Sequence, residues 1–148
     1  MQGNFTPYVR PWAADRLGME RIREGTYVSR KLLDTGAVIV NGSDVPVVGI
    51  NPVISFYGSV TRQTLDGQPP GGFEPDQKMT RLEALRSYTI DTAFAGFEED
   101  LKGSIEVGKL ADFTVFSQDL LQVPDDEILD TTVEYTIVGG KVLFQKKN

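Results

Sequence analysis

Ala37-Val38-Ile39-Val40-Asn41-Gly42-Ser43-Asp44-Val45-Pro46-Val47 is the stretch on which the reading of this chain turns. Its first four residues form an apolar, β-branched run of the length of a buried strand, and the small residues after them leave one carboxylate just past the run's end. In α/β proteins, loops at the carboxyl ends of parallel strands stay open to ligand while the strands hold them rigid. The pattern predicts a strand over Ala37–Val40 and makes Asp44 the leading candidate for a functional residue.

Upstream of that stretch, apolar residues from Asp15 to Asp34 recur at mixed spacings of three and four, interrupted by Gly25. This predicts a short helical turn, a break, and a helix near 27–35 that Gly36 ends as a left-handed C′ residue. Residues 1–18 carry proline, glycine and aromatics without a sustained period and read as a loop, with Trp12 beside Pro11 as a surface anchor.

Downstream, Asn51-Pro52 is a helix start, an N-cap followed by proline at the first helical position, and Val53, Phe56, Tyr57 and Val60 then share one face through Arg62. The resulting helix-strand-loop-helix order is the repeating unit of a parallel α/β fold. Gly67-Gln68-Pro69-Pro70-Gly71-Gly72 reads as a surface connection. Thr80-Arg81-Leu82-Glu83 fits a capping box, and helical segments follow to about Phe97. Phe113–Phe116 reads as a half-buried strand, and Pro124–Asp130 as a solvated acidic turn. Thr132–Val138, Gly139-Gly140 and Lys141–Phe144 form a hairpin pattern.

The 148 residues suffice for one ordinary domain or two small ones. A net charge of -6 argues against nucleic acid as the main partner. No apolar run approaches the roughly 20 residues of a membrane span, and the first residues lack a signal-peptide pattern, so the expected location is the cytoplasm, with no membrane partner. The sequence has no cysteine and no histidine. It therefore cannot build a thiol nucleophile, a Ser-His-Asp triad or a histidine-rich zinc site from its own side chains.

Gly42-Ser43-Asp44-Val45-Pro46-Val47, Val60-Thr61-Arg62, Leu82-Glu83-Ala84-Leu85, Tyr88-Thr89-Ile90-Asp91, Gly103–Phe113 and Thr136–Val142, in this order, resemble the C-terminal part of the metal-dependent amidohydrolases, family-3 group. The resemblance implies the last strand-helix units of a (β/α)8 barrel over residues 1–101 and part of a small antiparallel β-sandwich over 102–148. It implies a divalent metal (zinc, manganese or iron) in full-length relatives. It matches Asp44 to the aspartate that touches the metal and takes a proton from the attacking water, giving hydrolysis of carbon-nitrogen bonds in non-peptide amides.

The family's histidine ligands have no counterpart in this chain, and Met1-Gln2-Gly3 resembles an internal strand end of a longer protein. The expectation is a chain inactive by itself. It either self-associates through exposed barrel edges or meets an upstream polypeptide that completes the barrel. The other reading is a non-catalytic oligomerisation or interaction module. For Asp44 the alternative role is a turn or capping carboxylate. Arg62 is a candidate for binding a substrate anion, with a surface ion pair as its alternative. Ser43 lacks an imidazole partner, Asp91 reads as a cap between helical segments, and Asp112 reads as structural with Lys109 as its solvent-facing partner.

Overall fold

A computed structural model describes residues 1–147, apart from the side chains of Pro7 and residues 9–11. Among the described residues six α-helices come first: α1 (Phe5–Leu17), α2 (Met19–Gly25), α3 (Ser29–Asp34), α4 (Pro52–Thr61), α5 (Arg81–Tyr88) and α6 (Ile90–Ala95). A three-stranded antiparallel sheet follows, made of β1 (Phe113–Phe116), β2 (Val133–Val138) and β3 (Lys141–Gln145) in the order β1-β2-β3. The chain is thus α/β, with a small antiparallel sheet.

The local signals act as read. Asn51 caps α4 by accepting from the Val53 N–H at 3.0 Å, with Pro52 in the first turn. Thr80 and Glu83 close a reciprocal capping box on α5. At the end of α3 the Gly36 N–H donates to Leu33 O and the Ala37 N–H to Leu32 O, a Schellman motif for which Gly36 adopts φ 83°. Gly139 and Gly140, both at positive φ, turn β2 into β3, and the side chain of Asp112 accepts from the Gly139 N–H at 2.7 Å. Asp112 is structural as expected. Lys109, by contrast, donates to Ser104 Oγ and pairs with Glu106 rather than with Asp112.

Three expectations are corrected. Residues 5–17 are a helix, not a loop. Pro7 falls in its first turn, where a helix needs no donor. Trp12, read as a surface anchor, is half-exposed with the Arg16 guanidinium 5.8 Å from its ring. Residues 37–40 carry no regular secondary structure and belong to no sheet among the described residues, because an apolar β-branched run becomes a strand only where a neighbour pairs along its length. Pro124–Asp130 contains a 3-10 segment, Asp125–Asp130, whose Ile128 is fully buried.

The core forms around α4, which is buried over nearly its whole length rather than on one face. Val53, Phe56, Tyr57 and Val60 pack with Ile39, Met79, Ala84, Leu120, Val123 and Ile128. The last three follow β1 in the chain, so the core crosses the boundary expected after residue 101. Gly3 meets α4 so closely that a Cβ there would lie 2.1 Å from Ser59 Oγ and 2.4 Å from Ser55 O.

Candidate functional site

Asp44 owes its place to hydrogen bonds that fasten the residues just before it to Met1, Asn4 and α5, and to a turn that follows it. The Met1 amino group donates to Val40 O, and the Gly42 N–H donates to Met1 O at 3.1 Å. These two bonds bracket Asn41 in the pattern of one rung of a parallel ladder. Asn41 is then fastened to α5 twice, its N–H donating to Ser87 O at 2.9 Å and its Nδ2 to Ser87 Oγ at 2.8 Å. Beyond it, Asn4 Nδ2 donates to Ser43 O at 3.0 Å. Asp44 adopts φ 56°, and its carbonyl accepts from the Val47 N–H at 2.9 Å across a turn that contains the cis Val45-Pro46 bond.

The Asp44 side chain is exposed, on a loop whose Val45, Val47 and Ile50 are exposed as well. An open carboxylate with an apolar surround can accept a proton or orient a polar group next to an uncharged substituent. Beneath it the interior is polar. The Oδ1 atoms of Asn4 and Asn41 and the Tyr88 hydroxyl are buried without a hydrogen-bond partner. Burial pushes the Tyr88 phenol up to about 12, with Ser55, the Gly3 backbone and Ser59 as its polar neighbours.

Arg62 does not join Asp44. It sits 3 % exposed at the left-handed C-cap of α4, where Nε donates to Phe73 O at 2.6 Å and Nη1 to Tyr27 O at 2.9 Å. Burial lowers its guanidinium to about 10. Instead of the surface ion pair or anion contact considered for it, it ties three loops together from inside. Asp91 lies in the first turn of α6 and accepts from Arg86 Nη2 at 3.1 Å.

Asn4, Asn41, Ser55 and Ser87 are the residues sequence reading passed over. Each looks like an ordinary polar residue, and only the contact between segments far apart in the chain gives it a role at the Asp44 turn.

The family model described as "Amidohydrolase family" matches residues 1–144. The chain belongs to the amidohydrolase family. This member is 26% identical over 146 residues to a protein named putative amidohydrolase from Bacillus subtilis, covering 99% of the chain and 27% of that relative. It is 34% identical over 117 residues to N-substituted formamide deformylase of Arthrobacter pascens, covering 79% of the chain and 21% of the relative. A crystal structure of an amidohydrolase from Thermotoga maritima superposes with a TM-score of 0.52 at 28% identity, over 81% of this chain and 26% of that one. The chain spans about a quarter of the length of these relatives.

The metal that the family implies does not fit the donor set of this amidohydrolase chain. The sequence offers no histidine or cysteine, and among the described residues no group of three or more acidic side chains is placed to hold an ion. An open catalytic site ordinarily takes three protein ligands, and Asp44 is one carboxylate by itself.

Proposed function

We propose that this chain is the C-terminal portion of a hydrolase acting on carbon-nitrogen bonds of non-peptide amides, with Asp44 as its inherited working carboxylate. The observation that carries the reading is the placement of Asp44. It stands exposed on a turn clamped after the apolar run 37–40, beside a ladder rung to Met1, in a chain matched to the family over residues 1–144. In this role Asp44 accepts the proton of a water that attacks the amide carbon, and the apolar residues around it border an uncharged substituent. The relative named for N-substituted formamides points to a small open-chain amide as the first substrate to try.

One carboxylate does not make the whole site, so hydrolysis requires groups from outside these residues, and the chain alone is inactive. In a protein that joins this chain to a histidine-bearing upstream segment, Asp44→Asn lowers kcat roughly 10²- to 10⁴-fold, the range for losing a general base. Unchanged turnover in that variant overturns the role of Asp44. The isolated chain, dialysed against zinc or manganese, retains no stoichiometric metal and hydrolyses no formamide. Stoichiometric metal that Asp44→Asn removes would show that the site is complete as it stands.

Association is the second part of the proposal. All five residues of β3 are exposed, Leu143 at 67 % and Val142 among them, along an uncovered edge. This exposure favours a homo-oligomer or an upstream polypeptide as partner, and it is also what a non-catalytic interaction module would present. We place the protein in the cytoplasm; among the described residues no helix is long and apolar enough to cross a membrane.

A further inference from the structure

Asn4 occupies the N-cap position of α1, where an asparagine ordinarily turns its side-chain oxygen onto the helix's first free N–H groups. Here it makes no such bond. Its side chain is turned the other way, with Nδ2 donating to Ser43 O at 3.0 Å while its own N–H donates to Ser55 Oγ at 3.1 Å. The residue is 1 % exposed and its Oδ1 is left without a partner. Forgoing a helix cap and burying an unpaired acceptor both work against folding. An arrangement of this kind serves whatever its one donated bond holds, and that bond ends on the peptide immediately before Asp44.

We propose that Asn4 is the positioning residue of Asp44. It fixes the carbonyl of Ser43, and with it the left-handed backbone of Asp44 and the turn closed by the Val47 N–H, to the joint between α1 and α4. The other tethers, from Met1 to Val40 and Gly42 and from Asn41 to Ser87, all lie before Ser43 and do not reach the Ser43–Asp44 peptide. Ser43 O has its acceptor direction set by Asn4, so the carboxylate of Asp44 is aimed by a residue 40 positions away in the chain that never touches it. The inference rests on Asp44 being the working carboxylate, whereas the hold on the turn is a property of the fold and is read separately.

The test is amide hydrogen exchange with ¹³C NMR on the chain itself. In Asn4→Ala, exchange of the Val47 amide accelerates about tenfold or more, the Asp44 side-chain carboxyl resonance moves towards its value in an unstructured peptide, and the α4 amides keep their protection. Asn4→Ser, which supplies a good helix cap but too short a donor for Ser43, gives the same local loss with α1 secured. Parental Val47 exchange and an unmoved Asp44 resonance in either folded variant overturn the proposal. So does a variant in which the α4 amides are lost together with Val47, since Asn4 would then serve the fold as a whole. Unaltered turnover in Asp44→Asn of the complete enzyme would sink the functional reading while leaving the Val47 result intact, so the two failures are distinguishable.

Discussion

Glu83 closes the capping box of α5 and at the same time receives the Arg30 guanidinium from α3. The Arg30 hydrogen bonds, with help from the Thr80 backbone and hydroxyl, hold its carboxyl down at about 2 against an ordinary 4.5. A carboxylate depressed in the folded state stabilises above its unfolded pKa and loses that contribution as pH falls through the folded one. Glu83→Gln keeps the box but not the charge, and is expected to cost about 1 kcal/mol at neutral pH. Urea titrations from pH 7 to pH 2 check this, because the gap between variant and parent closes between about pH 4.5 and 2. The same residue shows what a sequence makes readable. Thr80 and Glu83 are three apart, so their pairing follows from spacing alone, whereas Arg30 is 53 positions away from Glu83 and nothing local announces it. Asp44 was legible as a carboxylate after an apolar run, but Asn4 was not, since its partner also lies across the fold.

Among the elements, those set by neighbouring residues were foreseen: the capped starts of α4 and α5, the end of α3, and the Gly-Gly hairpin. The run 37–40 was misread as a strand because β-branched composition favours extended backbone, while a strand also needs a segment paired along its length, and this run meets one only where the Met1 amino group donates to Val40 O. The region 5–17 was misread because its prolines and aromatics hide the helical period. Two glycines separate backbone from packing effects. Gly36 has open space around it but sits at φ 83°, so Gly36→Ala should cost about 1 kcal/mol. Gly3 instead meets the backbone of α4, and Gly3→Ala should cost about 2 to 3 kcal/mol as the helix is forced outward. Thermal unfolding of the two variants side by side decides it, and equal losses would contradict the packing described around α4.

At the scale of the molecule, the sheet carries apolar side chains on both faces, with Val115, Val138, Val142 and Phe144 all exposed. Beside it, Leu85, Leu110, Phe113, Leu121 and Ile137 line an open groove. Antiparallel sheets that face water ordinarily keep one face polar. The expected behaviour is association at micromolar concentration, measured by size exclusion with light scattering, and a Leu143→Lys change should shift it towards monomer. A well-behaved monomer would leave the sheet's composition unexplained and remove association from the proposal.

Leu120, Val123 and Ile128, meanwhile, reach back from beyond β1 into the packing around α4. The strand of chain that carries them there passes through residues 103–108, where Ile105 is 86 % exposed and the local bonds are those of Ser104, Glu106 and Lys109 among themselves. A protease that cuts in this stretch should therefore produce two pieces that stay together through gel filtration and part only in denaturant. The covalent link there is a tether, and the two halves recognise each other as a lock recognises its own cut key.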